Sequence, residues 1–156
     1  MSETAPRFGL RRAGPDDAPA IRTLTRAAYA GWVPIVGREP LPMTVDYAVA
    51  VIAHRIDLFE QDGQLLALVE TAETPDHLLI VNLAVAPGSQ GRGHGRALLR
   101  HAETVARQSG LAELRLYTNA LMTANIALYQ RLGYAEYLRE QRAPGWEVVH
   151  MRKMLD

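Results

Sequence analysis

The chain has 156 residues, 48% of them hydrophobic, with 17 Lys plus Arg balancing 17 Asp plus Glu and no cysteine. That length predicts one domain over residues 1–156, with residues 1–6 flexible, and a net charge of zero gives no field for holding a nucleic-acid backbone or an anionic membrane. Disulfides, thiolate metal ligands and a cysteine nucleophile are excluded; no apolar run approaches the ~18 residues of a membrane span, and Met1–Pro6 lacks the marks of a signal peptide, so a cytoplasmic protein is expected.

Phe8–Arg11 reads as a short strand, and Gly14-Pro15-Asp16-Asp17 as the turn and N-cap of a helix with Ile21, Leu24 and Ala28 as its apolar positions. Pro34, Gly37, Pro40 and Pro42 break regular structure from Trp32 to Met43, which predicts an ordered loop; Thr44 then caps a short helix through Val45, Val49 and Ile52. Ile56–Gln61 and Gln64–Thr71 are apolar-rich strands joined by Asp62-Gly63, a two-residue hairpin signal. Thr74-Pro75-Asp76 turns the chain into His77–Val85, apolar enough to predict a strand covered on both faces.

A glycine-rich stretch, Pro87-Gly88-Ser89-Gln90-Gly91-Arg92-Gly93-His94-Gly95, opens a helix that runs to about Ser109 with Leu98, Ala102 and Val105 on one face and stops at Gly110. Glu113–Asn119 reads as a strand and Leu121–Leu132 as a helix with Leu121, Ala124, Leu128 and Leu132 in period, ended by Gly133. Two last strands, Ala135–Gln141 and Glu147–Met154, flank the turn Ala143-Pro144-Gly145. The order alternates as in an α/β domain, with no internal repeat.

A strand that passes through glycines into a helix gathers unpaired N–H groups and the positive end of a helix dipole at one point, which suits phosphate. Arg92 and Arg96 can add charge there. Three familiar loops fail on spacing. A Walker A loop from Gly88 finds His94 and Gly95 where Lys and Ser or Thr belong; dinucleotide fingerprints from Gly91 or Gly93 meet Arg96 or Leu98; a hydrolase elbow at Ser89 meets Pro87.

What remains, Gln90-Gly91-Arg92-Gly93-His94-Gly95 after the strand Asn82-Leu83-Ala84-Val85-Ala86-Pro87, reads Gln-x-x-Gly-x-Gly and resembles the acyl-CoA-binding motif of the GNAT superfamily of N-acyltransferases. Asn125-Ile126-Ala127-Leu128-Tyr129-Gln130-Arg131-Leu132-Gly133-Tyr134 is similar to that superfamily's second piece, in the expected order. The resemblance covers Leu78–Tyr134 and implies a mixed α/β (α+β) fold, a largely antiparallel sheet of about six or seven strands flanked by about four helices. It also implies acetyl-CoA as co-substrate and acyl transfer to a primary amine in a ternary complex, since no cysteine can carry the acyl group. By the same resemblance, Leu83, Ala84 and Val85 meet the pantetheine arm, the Val85 N–H serves as oxyanion donor, and Gln90, Gly91, Arg92, Gly93, His94, Gly95 and Arg96 cradle the pyrophosphate.

Asn125 and Tyr129 lie four residues apart and share a helix face. The resemblance makes Asn125 a contact of the cofactor's arm, and Tyr129 both a cofactor contact and the general acid to the departing thiolate. Some relatives place a glutamate base on the preceding strand, but Leu114–Asn119 offers Tyr117 and no carboxylate, which leaves Glu70 of the neighbouring strand or a bound water as base. Tyr29, Trp32, Arg38 and Tyr117 are acceptor-site candidates; Met43 and Tyr47 belong to the same side-chain-rich loop, which either lids the acceptor or packs the helices on the sheet. The five histidines have no metal-ligand spacing. A noncatalytic acyl-CoA sensor of the same fold and an unrelated phosphate-binding domain are the competing readings. The acceptor is a small-molecule or protein amine, and the last strands offer an edge for a homodimer.

Overall fold

The computed structural model describes residues 8–156, so the expectations for residues 1–6 fall outside it. Seven strands form one sheet in the order β1-β2-β3-β4-β5-β7-β6: β1 (Phe8–Arg12), β2 (Arg55–Gln61), β3 (Gln64–Glu73), β4 (Leu78–Val85), β5 (Glu113–Asn119), β6 (Ala135–Ala143) and β7 (Trp146–Met154). Every neighbouring pair is antiparallel except β4 with β5. The helices are α1 (Ala18–Tyr29), the single turn α2 (Val33–Val36), α3 (Tyr47–Ala53), α4 (His94–Gln108) and α5 (Thr123–Arg131). The expected mixed sheet with four helices of more than one turn is present.

Local chemistry explains most boundaries. Asp62 and Gly63 take φ 51° and 80°, the left-handed pair that a two-residue hairpin turn demands, and they join β2 to β3 as read from the sequence. Asp17 closes the turn before α1 by accepting from the Gly14 N–H at 2.8 Å. The parallel step from β4 to β5 requires a crossover, and α4 supplies it.

The sheet carries a core on each face. On one side α4 and α5 pack Leu98, Leu99, Ala102, Val105 and Tyr129 against Val69, Leu78, Ile80, Leu114, Val149 and Met151. On the other, α1 and α3 pack Ile21, Leu24, Tyr29, Tyr47, Ala50 and Val51 against Ile56, Leu58, Leu68 and Ala84. β3 is buried without a break from Leu66 to Thr71, whereas β4, expected to be covered on both faces, alternates between buried and half-buried residues.

Three sequence expectations are corrected. The cap of α3 is Asp46, whose carboxylate accepts from Ala48 N at 3.0 Å; Thr44 sits in a preceding 3-10 turn and bonds Leu41 O instead. As a result α3 begins later and turns Tyr47, Ala50 and Val51 inward, leaving Val49 and Ile52 61% and 76% exposed. The Trp32–Met43 stretch is less irregular than its prolines suggested, because it holds α2 and part of a 3-10 turn at Leu41–Thr44. α5 starts at Thr123 and not at Leu121, since Asn119 Oδ1 takes the Leu121 N–H at 2.9 Å and holds it in a turn.

The feature that positions the site is a gap. Register between β3 and β4 shifts at Glu70/Thr71, where Glu70 faces Asn82 and Thr71 faces Ile80, so Val81 is the extra residue of a β-bulge. β4 pairs with β5 only over Leu78–Ile80, and beyond the bulge the two strands separate. Ala86 N bonds Leu66 O toward β3, so by the alternation of a strand Leu83 and Val85 turn their N–H and C=O groups the other way, into the gap.

A buried carboxylate ties α4 to the sheet. Asp57 of β2 accepts from Arg55 Nε at 2.8 Å and pairs with His101 Nε2 of α4 at 2.9 Å. Asp57→Ala should therefore lower the unfolding free energy by about 2 to 4 kcal/mol, because it strands both partners. Urea denaturation measures this, and an unchanged midpoint would mean that the cross-link is energetically idle.

Candidate active site

The gap opens into two cavities, one on each side of the β4 residues that line it. The first is a groove of about 780 Å³ between the open edge of β4, the start of α4 and one face of α5. Leu83, Val85, Gln90, Gly91, Gly93, His94, Gly95, Arg96, Asn125 and Tyr129 all line it, so most of the residues read as a cofactor site come together. Ala124 and Leu128 of α5 and Leu132 at its end also line the groove, and Tyr129 both lines it and packs into the core beside α4.

The start of α4 is built for an anion. Its first intrahelical bond runs from Ala97 N to Gly93 O at 3.0 Å, which leaves the N–H groups of His94, Gly95 and Arg96 without a helical acceptor. Gly93 caps the helix at φ 85°, a left-handed conformation that a β-branched residue resists. Gly95 matters for a different reason: an added Cβ would lie 3.8 Å from Leu83 and Leu128 side chains, in ordinary contact, so larger groups would fill the groove. Gln90 donates from Nε2 to Val85 O at 3.2 Å.

Three of the expected residues do not line the cavity expected for them. Arg92 is exposed and outside the groove lining, because the loop turns its side chain to solvent. Ala84 packs in the α1 and α3 core, since the alternation that brings Leu83 and Val85 to the gap turns it away. Trp32, expected beside the acceptor, lines the groove instead, as it follows α1 on the groove side of Tyr29.

The second cavity, about 120 Å³, lies under the loop before α3 and is lined by Tyr29, Arg38, Glu70 and Tyr117, together with Pro40, Leu41, Pro42, Tyr47, Asn82, Leu116, Met122, Trp146 and Val148. The two cavities share Tyr29, Leu83, Asn125 and Tyr129. Tyr129 is buried against Tyr134, ring centroids 6.1 Å apart, and its hydroxyl makes no hydrogen bond to the described residues. Burial pushes its pKa up to about 12, so the phenol keeps its proton.

A polar network holds the meeting point. The Tyr29 hydroxyl donates to Asn82 Oδ1 at 3.0 Å and approaches Leu83 O at 3.1 Å; Asn82 Nδ2 reaches Thr25 Oγ1 and Tyr47 OH, each at 3.2 Å; Tyr47 OH donates to Pro42 O at 2.7 Å. Glu70 is buried beside it and pairs with His54 Nδ1 at 2.7 Å. Desolvation raises the Glu70 pKa and the bond to His54 opposes that shift. Tyr47 comes from the loop read as a lid or as packing, whereas Asn82, His54 and Trp146 carry no site role in the sequence reading. For Asn82 a signal existed: it is the one polar residue in Leu78–Val85, and a polar side chain inside an apolar strand needs partners.

The splayed sheet thus has an anion-binding groove on one side and a smaller, largely apolar chamber on the other, with Tyr29 and Tyr129 lining both. The Acetyltransferase (GNAT) family model matches residues 20–134, and the chain belongs to that family. It is 40% identical over 76 residues to the [Ribosomal protein bS18]-alanine N-acetyltransferase of Escherichia coli, a match covering 49% of this chain and 51% of that protein. The solved Escherichia coli enzyme of that name superposes with a TM-score of 0.78 at 25% identity, covering 96% of this chain and 95% of that one. Streptothricin acetyltransferase of Streptomyces lavendulae is 38% identical over 76 residues, 47% of this chain and 40% of that protein. A GNAT acetyltransferase from Elizabethkingia anophelis, solved with acetyl-CoA bound, shares the fold with a TM-score of 0.74 at 15% identity over 95% of this chain and 98% of its own. The chain thus spans about half the length of the first curated relatives it matches in sequence.

Asn82→Ala should remove three hydrogen bonds from the hydroxyls of Tyr29, Thr25 and Tyr47. The expected cost is about 2 to 3 kcal/mol, or about 4 to 12 °C in Tm. Calorimetry reads it, and a Tm within one degree of the parent would show that the hydroxyls find other partners.

Proposed function

We propose that the chain transfers the acetyl group of acetyl-CoA to a primary amine by direct attack in a ternary complex. The observation that carries this reading is the Tyr129 hydroxyl, unbonded to the described residues, on a side chain that lines both the groove and the chamber. In this reading the pantetheine arm adds to β4 as a short strand along the N–H and C=O groups of Leu83 and Val85, and the pyrophosphate sits on the N–H groups of His94, Gly95 and Arg96. Asn125 fixes the arm from α5.

The amine approaches from the chamber and attacks the thioester carbonyl, the Val85 N–H takes the developing oxyanion, and the C–S bond breaks. Tyr129 gives its proton to the departing thiolate and Glu70 takes the proton that the amine loses. A phenol held near 12 is a weak acid in water, but a thiolate formed beside the buried Tyr129 hydroxyl shares its desolvation, which raises the thiolate's proton affinity as well.

The chamber also limits the acceptor. It is smaller than the ~300 Å³ at which sites for drug-sized ligands begin. Its walls are largely apolar and aromatic, and its two carboxylates are engaged, Glu70 with His54 and Glu39 with Arg26 at 2.7 Å. These features favour an amine on a compact apolar or aromatic body, as a small molecule or as the first residue of a polypeptide, over a polycation. Arg38, stacked 4.3 Å over Trp146, makes no ion pair with the described residues and can meet an acceptor carboxylate. Cytoplasmic residence and a homodimer along the exposed outer strand β6 are part of the same proposal, and light scattering at the mass of one chain, 17.2 kDa, would remove the dimer.

Acetyl-CoA should raise the Tm, and the same sample should release thiol when supplied with compact apolar amines. Stabilisation without thiol release across the whole amine panel would leave a binder and sink the transferase reading. Tyr129→Phe should lower kcat by about 100-fold while coenzyme A affinity stays within about threefold, because the ring remains and the proton donor is lost. Unchanged turnover in that variant would end the general-acid assignment.

A further inference from the structure

A base with almost no exposed surface of its own has to return its proton to water after each turnover, and Glu70 is 2% exposed at its side chain. Tyr129 cannot serve as its outlet, since the phenol gives its own proton away in the same cycle. Glu70 Oε1 makes no hydrogen bond to the described residues, while Oε2 meets His54 Nδ1 at 2.7 Å. His54 is the residue at which α3 ends, and its side chain is 35% exposed, so one ring nitrogen touches the buried carboxylate and the imidazole reaches the surface.

Resting on the acetyltransferase reading, we propose that His54 relays the amine's proton from Glu70 to solvent, on a path that leaves the acceptor chamber beneath α3 and never crosses the cofactor groove. The proton lost by the attacking amine passes to the Glu70 carboxylate, Glu70 hands it to His54 Nδ1, and the imidazolium releases a proton from Nε2 to water. One proton enters and one leaves; no electron moves. His54 touches Glu70 and no substrate, so it acts through the base.

Tyr29 from α1 and Tyr47 from α3 face Glu70, and burial raises both phenols, Tyr47 to about 12. From β4 the facing residue is Asn82 and from β2 it is Ile56, neither of them titratable. The nearest cation along the chain, Arg55, is held by Asp57 at 2.8 Å. Burial strengthens Glu70 as a base and opposes release of its proton, and the contact with His54, which lowers the Glu70 pKa, works against that hold.

The test uses the full chain with acetyl-CoA and an amine that the parent acetylates. His54→Gln keeps a hydrogen-bonding group beside Glu70 and cannot carry a proton; His54→Ala leaves a solvent-facing space for added imidazole. Both should lose about 10- to 100-fold in kcat at pH 7 to 8 with little change in either KM. The His54→Ala rate should rise with imidazole concentration and be restored to within a few-fold of the parent, while Glu70→Gln gains nothing from imidazole. Parent-like turnover in His54→Gln across pH 5 to 9, or a loss in His54→Ala that imidazole leaves unmoved, would overturn the relay with the transferase intact. A parent that acetylates no amine overturns the transferase itself, and the relay with it.

Discussion

The separation of β4 from β5 is the constraint on which the rest of the molecule depends. Parallel strands buried by helices on both faces ordinarily stay paired to their ends, since an unpaired backbone amide in the interior costs as much as a lost hydrogen bond. Here pairing stops after Ile80, one residue before the bulge at Val81. The bulge rotates the remainder of β4, so that Asn82 and Ala84 face α1 while Leu83 and Val85 turn to the α5 side. The carbonyls of Leu83 and Val85 are met by side chains, the Tyr29 hydroxyl and the Gln90 amide. A backbone edge held by side-chain donors can exchange them for a ligand, which a continuous sheet cannot do.

Keeping the gap open places polar groups in the core, and they tolerate burial only as a set. Thr25, Tyr29, Tyr47 and Asn82 satisfy one another across α1, α3 and β4, and Pro42 takes the last hydroxyl. This arrangement fixes the loop before α3, whose other anchor is Arg26, bonded to Met43 O at 2.8 Å and to Glu39. The loop is therefore an ordered roof over the chamber. Its prolines support that role, because residues with a fixed φ lose little entropy on ordering.

Strands and turns were legible in the sequence because their signals are local. Asp62-Gly63 can make few other turns, and Gln90–Gly95 carries its spacing wherever it occurs. The face of α3 was not legible. Val45, Val49 and Ile52 suggested one face, but in a seven-residue helix with only one polar side chain, Tyr47, nearly any face looks apolar; the choice was made by Asp46 as cap and by Tyr47 reaching Asn82. Trp32 and Ala84 lie away from the cavities expected for them for a related reason, since strand alternation turns Ala84 into the other core and the turn after α1 carries Trp32 to the groove, and neither leaves a mark in composition. His54 meets Glu70 across sixteen residues through tertiary packing, and no spacing rule could have joined them.

On the proposed reading, one physical cause assigns both halves of the acid–base chemistry. Burial disfavours charge, and it acts on a phenol and on a carboxylate in the same direction. For Tyr129 that direction means a proton retained until a thiolate appears beside it. For Glu70 it means a carboxylate more basic than one in water, partly restrained by His54. Burial of the two side chains therefore prepares both the acid and the base, and the two differ in function because only Glu70 has a partner at the surface. A proton delivered at Tyr129 can be replaced through the groove, whereas one collected at the buried Glu70 has the half-exposed His54 as its route out. The fold separates those routes by placing the tyrosine on α5, on the groove face of the sheet, and the carboxylate beneath α3 on the other.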